Sequence, residues 1–214
     1  MNLISIDNEK IKTIINTVEK QGYIVLEDFI NKKQFKPIQS RILEFKECDL
    51  KNAGVGRSNQ QQTNSDIRRD KIHWLNSTNV VDNEYLRLME SLRIELNRSL
   101  YIGLFDYEAH YTIYKEGDFY KQHIDALKGK SNRILSTVFY LNENWQEENG
   151  GELVMYSHDK KTVLEIIIPK AGTMVIFLSD QFPHEVLAAK QTRYSIAGWF
   201  RVNASNSECI DTSR

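Results

Sequence analysis

Residues 162–178, TVLEIIIPKAGTMVIFL, hold two short runs of β-branched and large apolar residues on either side of a turn sequence. The runs Thr162–Ile168 and Thr173–Leu178 have the length and composition of strands, since a helix usually needs roughly 10 residues or more. Between them, Pro169-Lys170-Ala171-Gly172 carries the proline and the glycine that mark turns. This stretch therefore predicts two consecutive strands.

The same pattern recurs through the rest of the chain after Gly103. Six further strands are predicted at Ala109–Tyr114, Tyr120–Asp125, Ile134–Leu141, Glu152–Tyr156, His184–Leu187 and Arg193–Phe200. Short, evenly spaced strands separated by turn residues are typical of a sandwich or a double-sheet jelly roll, the architecture that includes the cupins. We therefore predict a mainly β fold whose core spans residues 104–201.

Residues 1–103 are predicted to be mainly helical and to pack on that core. The first helix has Asp7 as its N-cap and Gly22 as its left-handed C-cap, and a strand follows at Tyr23–Leu26. A second helix is predicted from about Asn31 to Phe45. Apolar residues at helical spacing define the first helix (Ile11, Ile14, Ile15, Val18) and a third (Tyr85, Leu88, Met89, Leu92, Leu96, Leu100).

One polar stretch interrupts this helical layer. Residues 52–70 are rich in polar residues and glycine and predict a mobile loop, either a plain solvated connection or a lid over a bound peptide. With a tail at residues 202–214, the whole chain of 1–214 is predicted to form one domain.

The charge balance excludes two classes of partner. The chain carries 28 Lys plus Arg against 29 Asp plus Glu, a formal net charge of −1. Such a chain exerts no bulk attraction on nucleic acid or anionic lipid. Its apolar runs, such as Met174–Leu178, fall far short of the roughly 20 residues that a membrane-spanning helix needs. We expect no nucleic acid and no membrane as partners.

The N-terminus and the cysteines favour a cytoplasmic location. Residues 1–10 show no basic segment followed by an apolar one, so no signal peptide is predicted. Cys48 and Cys209 are the only two cysteines; they could bridge, but two isolated thiols do not make a disulfide framework.

The tripeptide His123-Ile124-Asp125 is a candidate half of a metal site, because residues i and i+2 of a strand project to the same side. Five histidines and 12 Asp in 214 residues give about 0.3 such tripeptides by chance, so the motif alone is weak. His184 on a distant strand supplies a third ligand. Two histidines and one carboxylate on one face form the facial triad of non-heme Fe(II) oxygenases.

The last strand adds a candidate anchor for a carboxylate. Its alternation puts Arg193, Ser195, Ala197 and Trp199 on one face. An arginine that points into a barrel is an expensive unpaired charge unless a carboxylate meets it through two parallel hydrogen bonds. A dicarboxylic 2-oxo acid, chelating iron at one end and meeting Arg193 at the other, satisfies both demands. The alternative is a surface salt bridge on an edge strand.

Taken together, these motifs resemble a known family. The matching segments are residues 69–74, 114–125, 133–142, 150–153 and 184–186, followed by Arg193 and Trp199. From about Asp66 to Arg201 the chain resembles the 2-oxoglutarate/Fe(II)-dependent prolyl 4-hydroxylases, specifically bacterial relatives of the hypoxia-inducible-factor prolyl hydroxylases.

The resemblance implies a double-stranded β-helix and a role for each matching residue. His123, Asp125 and His184 would bind iron, and Arg193 would hold the far carboxylate of 2-oxoglutarate. Four more residues are similar to family site residues: Tyr140 and Tyr114 around that carboxylate, Trp199 near the iron-facing pocket, and Arg133 as a contact of the peptide. Ser195 would add a bond to the cosubstrate, as Arg-x-Ser does in related oxygenases.

The activity that the resemblance implies is protein prolyl 4-hydroxylation. The cofactors would be Fe(II), 2-oxoglutarate and O2, with ascorbate as the reductant. The partner would be a proline-containing protein or peptide in the cytoplasm, and 2-oxoglutarate would be converted to succinate and CO2 as a C–H bond is hydroxylated. Asp125 argues against halogenation, because related halogenases lack this carboxylate to make room for halide.

Three other functions stay open at this point. An AlkB-type base demethylase is disfavoured because the second arginine, Arg201, lies eight residues after Arg193, farther than in that group. The second is hydroxylation of a free amino acid or small metabolite. The third is a non-catalytic, cupin-like metal or ligand sensor. His73 and His110 are interpreted as packing or supporting residues, and His158 as a surface residue.

Overall fold

Two antiparallel sheets and three α-helices make up the computed structural model, which describes residues 5–54, 64–126, 131–205 and 211. The helices are α1 (Asn8–Gln21), α2 (Lys32–Leu43) and α3 (Val80–Leu100). The strands are β1 (Tyr23–Leu26), β2 (Lys51–Asn52), β3 (Lys71–Trp74), β4 (Asp106–Tyr114), β5 (Tyr120–His123), β6 (Arg133–Tyr140), β7 (Leu153–Tyr156), β8 (Val163–Ile167), β9 (Met174–Leu178), β10 (His184–Val186) and β11 (Arg193–Arg201).

The strands pair in a non-sequential order. The major sheet runs β1-β9-β6-β11-β4-β3-β2, and the minor sheet runs β5-β10-β7-β8. All eight strands predicted after Gly103 are present, with small shifts at their ends. The two-sheet jelly roll that these strands predict is confirmed. Strand β1 adds an edge to the major sheet through its antiparallel pairing with β9.

The helix boundaries follow from local capping. The Asp7 side chain accepts a hydrogen bond from the Glu9 amide at 2.7 Å, and Gly22 ends α1 with a φ of 82°. Asn31 and Gln34 form a reciprocal capping box at the start of α2. Helix α3 begins earlier than its apolar stripe indicates, because the Asn79 side chain caps it by accepting from the amides of Val81 and Asp82.

The two faces of the major sheet bury different partners. One face packs against the helices around Phe139, which has no exposed surface. The other face packs against the minor sheet, in a second cluster that includes Tyr114, Tyr140, Met155 and Phe177. This second cluster therefore lies between the two sheets, and the helices lie on the opposite side of the major sheet. None of the described helices combines the length and the apolar character that crossing a bilayer needs.

The predicted loop at residues 52–70 is only partly a loop. Asn52 belongs to β2 and pairs with Lys71, and the Ala53 amide donates to the Asp70 carbonyl at 3.0 Å. Arg68 forms an isolated antiparallel bridge with Tyr120. Both ends of the predicted loop are thus hydrogen-bonded to neighbouring structure, which corrects the expected bounds. Residues 55–63, on which the lid prediction rests, lie outside the described residues.

The C-terminal residues and the cysteines add little more. Of the predicted tail, residues 202–205 and 211 are described. Cys48 is exposed, whereas Cys209 lies outside the described ranges.

We expect the Phe139→Ala substitution to lower the free energy of unfolding by about 3–5 kcal/mol, because it removes a ring from the contact between helices and sheet. The Phe139 ring centroid lies 5.8 Å from that of Phe29, 6.1 Å from Phe35 and 6.0 Å from Tyr85. Urea unfolding followed by circular dichroism measures the change. Leu43→Ala on α2 is the control, because that side chain is 58% exposed. Equal unfolding midpoints for the two variants would show that Phe139 does not join these layers.

Candidate active site

Three candidate metal ligands meet at the β5–β10 pair of the minor sheet. His123 ends β5 and His184 begins β10, and the two residues are antiparallel partners in register. Asp125 follows His123 by two residues. Donor atoms from all three side chains lie within 4.8 Å of one another, so this group could hold a metal ion. Asp125 Oδ1 is 3.5 Å from His123 Nε2 and 3.8 Å from His184 Nε2.

The geometry that joins His123 to Asp125 differs from the predicted one. Strand β5 ends at His123, so strand alternation does not place Asp125. Its carboxylate instead accepts hydrogen bonds from the Ser136 hydroxyl on β6 and the Trp199 indole N–H on β11. Contacts with the major sheet therefore turn Asp125 toward the histidines.

Both imidazoles present Nε2 to the common centre. His123 Nδ1 lies 2.8 Å from the Lys121 carbonyl oxygen, and His184 Nδ1 lies 2.9 Å from that of Phe182. A carbonyl can only accept, so Nδ1 carries the proton in each ring and Nε2 keeps its lone pair in the neutral form. Burial lowers the pKa of His184 to about 4, which keeps this imidazole neutral. Neutral imidazole is the form that binds metal.

Asp125 is held as an anion. Burial alone would raise the pKa of its carboxyl group, but the adjacent His184 and His123 and the nearby Arg133 outweigh burial and hold that pKa well below its usual range. A carboxylate and two imidazoles that present Nε2 to one centre are the donor set of a facial triad for a ferrous ion.

Arg193 is a buried cation with neutral partners. Its side chain lies in the protein interior, where Nε donates to the Gly151 carbonyl at 2.9 Å and Nη1 donates to the Ser195 hydroxyl at 3.3 Å. The guanidinium carbon is 5.0 Å from the ring centroids of both Tyr114 and Tyr140. The aromatic faces attract the cation, but they do not replace a hydrogen-bonding anion.

Unsatisfied polar atoms around the Arg193 guanidinium make this region a candidate binding site. Arg193 Nη2 and Tyr140 Oη are two of four buried side-chain atoms in the described part of the chain that lack a hydrogen-bond partner. Burial raises the pKa of Tyr140 to about 12 despite the nearby Arg193 cation, so its hydroxyl is a protonated donor. Buried polar atoms of this kind need a partner, and a ligand carboxylate accepts from both.

Gly151 is required for this arrangement. A Cβ at this position would lie 2.9 Å from the Ala189 Cβ and 3.2 Å from the Arg193 Cδ, and the residue has a φ of +72°. A larger residue would push the arginine stem out of place.

The remaining predicted site residues lie beside Arg193 or beside Asp125. Tyr114 is the register partner of Arg193, and Ser195 pairs with Tyr140. Trp199 donates to Asp125 Oδ2 at 3.0 Å, so it contacts a metal-ligand candidate directly. The Arg133 guanidinium lies 3.5 Å from the Trp199 ring centroid and donates to Glu108. The structure thus places the predicted site residues in two groups, one around Asp125 and Trp199 and one around Arg193.

Ser136 and Tyr120 are neighbours of the candidate ligands that the sequence reasoning missed. The Ser136 hydroxyl donates to Asp125 Oδ2 at 2.6 Å, and the Tyr120 ring stacks on His123 with centroids 3.5 Å apart. Alternation backwards from Tyr140 along the same strand, through residue 138 to 136, would have found the serine. Nothing local indicated the stacking on His123.

The other residues considered from the sequence lie away from the common centre. His73 stacks on Phe45, and His158 is exposed, as expected. His110 is buried, with its ring 5.4 Å from that of Trp199, and is therefore a supporting residue. Arg201 binds Asp106 through two nitrogens, which argues against a second substrate arginine of the AlkB type.

Comparison with known proteins agrees with this geometry. The family model for the 2OG-Fe(II) oxygenase superfamily matches residues 109–201, which include the triad and Arg193. A solved prolyl-4-hydroxylase from Pseudomonas putida is 31% identical, with 91% of this chain and 100% of that chain covered at a TM-score of 0.81. The chain belongs to the prolyl hydroxylase family of 2OG-Fe(II) oxygenases.

Other members of the prolyl hydroxylase family are more distant or longer. Human Egl nine homolog 1 is 28% identical over 195 residues, covering 87% of this chain and 45% of the human protein. A Trichoplax adhaerens prolyl hydroxylase, solved with a peptide fragment of hypoxia inducible factor, has a TM-score of 0.80 at 23% identity, covering 90% of this chain and 89% of that one. That likeness shows the fold alone. The chain spans about half the length of the Egl nine homolog 1 proteins that it matches.

The comparisons confirm the predicted family and the double-stranded β-helix. They also extend beyond the predicted region of resemblance, because they cover 91% of the chain and so include much of the helical layer.

We expect His184→Ala to weaken Co(II) binding by at least ~100-fold, because loss of a ligand costs more than loss of a ligand's own partner. Equilibrium dialysis under nitrogen, with cobalt in place of the oxidation-prone ferrous ion, measures the dissociation constant. His158→Ala, which removes an exposed imidazole, is the matched control. Equal dissociation constants for the two variants would place the metal site elsewhere.

Proposed function

We propose that this protein is an Fe(II)- and 2-oxoglutarate-dependent prolyl 4-hydroxylase that acts on a proline-containing protein in the cytoplasm. The observation that carries the proposal is the combination of two groups of side chains. A candidate metal triad and a buried arginine with no anionic partner among the described residues lie in one jelly roll. Similarity to prolyl hydroxylases supports the choice of proline.

The residues fit the cofactor and the cosubstrate. His123, Asp125 and His184 would hold Fe(II), and Arg193 with Tyr140 would hold the far carboxylate of 2-oxoglutarate. When bound, this pair supplies oxidative decarboxylation of 2-oxoglutarate to succinate and CO2, coupled with O2 to hydroxylation of a C–H bond. The cosubstrate's negative charge would neutralise the buried guanidinium and use the unsatisfied Tyr140 hydroxyl.

The protein's own contribution is orientation. Ser195 holds one nitrogen of Arg193, and the Gly151 carbonyl holds another, so the guanidinium has one allowed direction. Tyr114 covers its face from the neighbouring strand. A cosubstrate anchored in this way would reach the metal at a fixed angle, as pre-organised catalysis requires.

Arg133 and Trp199 would contact the bound peptide substrate. The Glu108 carboxylate accepts from Nε and Nη2 of Arg133, which keeps the guanidinium over the Trp199 ring. An oriented guanidinium donates readily to a peptide carbonyl or an acidic side chain. Ascorbate as the reductant, which the family resemblance implies, and one catalytic domain over residues 1–214, which the chain length favours, belong to the same proposal.

We expect Arg193→Lys to raise the KM for 2-oxoglutarate by about 10- to 100-fold, because a charge-assisted hydrogen bond is worth roughly 1.5–3 kcal/mol and lysine lacks the planar fork. Succinate release at several 2-oxoglutarate concentrations gives the KM. The exposed Arg87 on α3 provides the control variant Arg87→Lys. An unchanged KM in Arg193→Lys would mean that the cosubstrate binds elsewhere.

We expect a proline in a candidate cytoplasmic protein to gain the mass of one oxygen atom after incubation with the enzyme, Fe(II), 2-oxoglutarate and ascorbate. Mass spectrometry of the digested protein locates the change, and the Asp125→Ala variant must abolish it. Hydroxylation of free amino acids but of no peptide would favour the metabolite hydroxylase instead. Metal binding without succinate release in any mixture would favour the sensor.

A further inference from the structure

We propose that Ser136 and Trp199 are positioning residues that clamp one oxygen of Asp125, so that only the other oxygen can bind the metal. This inference rests on the proposed function in one respect, that the three side chains hold a metal ion. Ser136 and Trp199 would determine which oxygen of Asp125 faces that ion.

The two oxygens of Asp125 have different surroundings. Oδ2 accepts from the Ser136 hydroxyl at 2.6 Å and from the Trp199 indole N–H at 3.0 Å. Oδ1 is the oxygen that faces the two histidines. A carboxylate oxygen offers two lone-pair directions, and two donors occupy both of them on Oδ2. Binding of Oδ2 to the metal would break at least one of these buried hydrogen bonds.

The clamp has a chemical consequence. A six-coordinate ion with two imidazoles and one carboxylate oxygen keeps three positions for other ligands, whereas a bidentate carboxylate would leave two. A 2-oxo acid that chelates through two atoms would then leave no position for O2. The hydrogen bonds to Oδ2 would thus keep one coordination position of the metal ion open for O2.

The serine donor is itself held in place. Ser136 lies in the middle of β6 and is 1% exposed, and its Oγ is 2.9 Å from that of Ser179. Ser179 is also fixed by its backbone, since its amide donates to the Ile134 carbonyl at 2.9 Å. The Ser179 carbonyl accepts from the Ala126 amide at 3.1 Å, which ties down the residue after Asp125.

Neighbouring side chains hold the ring of the tryptophan donor in place. The Arg133 guanidinium lies 3.5 Å from the Trp199 ring centroid, and the His110 ring lies 5.4 Å from it. Glu108 in turn holds Arg133. The two donors therefore come from different strands of the major sheet, β6 and β11, and converge on one atom.

The test compares Ser136→Thr with Ser136→Val, two side chains of nearly equal shape of which only threonine keeps the hydroxyl. We expect valine to weaken Co(II) binding by about 10- to 100-fold relative to threonine, as loss of a ligand's hydrogen-bond partner typically does. The visible spectrum of bound cobalt should change in the valine variant, since a second carboxylate oxygen would replace another ligand and alter the coordination geometry. Thermal unfolding of the metal-free proteins checks that both variants fold.

Trp199→Phe tests the second donor and carries the proposal if neither Ser136 variant folds. We expect a loss of Co(II) affinity of similar size, because phenylalanine keeps an aromatic ring but has no N–H. Trp145→Phe is its control, since Trp145 is also buried and donates to the Gly150 carbonyl rather than to Asp125.

Equal Co(II) affinity and identical spectra for the threonine and valine variants, or for Trp199→Phe and Trp145→Phe, would overturn the clamp. Failure of the metal-site premise gives a different result, because the unmodified protein would then bind no Co(II) at this site, and failure of the hydroxylase activity alone would leave Co(II) binding unchanged. The wild-type titration separates the two outcomes.

Discussion

Strand β11 is the constraint on which the candidate site depends. It is paired with β4 from Arg193 to Arg201 and with β6 from Ser195 onward, so hydrogen bonds hold it on both sides. A slip by one residue would turn every side chain of the strand to the opposite face. Pairing on both sides therefore fixes the spacing between Arg193, which would anchor a cosubstrate, and Trp199, which contacts Asp125.

Two charges with little exposure to solvent give the site its chemistry at a cost in stability. Arg193 lies in the interior and the Asp125 side chain is 11% exposed, and an unpaired charge in such surroundings is expensive. Aromatic rings and neutral hydrogen-bond donors or acceptors surround each of them without removing its charge. The surrounding layers tolerate this arrangement because the helices cover one face of the major sheet and the minor sheet covers the other.

Much of the fold could be predicted from the sequence because its signals are local. The caps Asp7, Gly22 and Asn31 act within a few residues of the helix ends that they define. The predicted strands are present in the structure because their signal, a short apolar run bounded by turn residues, lies within a single segment. The start of α3 was missed, since its cap Asn79 precedes the apolar stripe by six residues. The helical layer also matched the family more closely than its sequence indicated.

The sequence by itself determined the chemical identity of the site: the two histidines, the aspartate and the arginine, each in a recognisable motif. Only the tertiary structure decided how they meet. Asp125 lies beyond the end of β5, and its direction comes from Ser136 and Trp199 on strands distant along the chain. Side-chain type and spacing are properties of contiguous residues, whereas hydrogen bonds between strands depend on which strands become neighbours. Burial of apolar side chains across the whole sheet decides which strands become neighbours, and the sequence of a single segment does not show this.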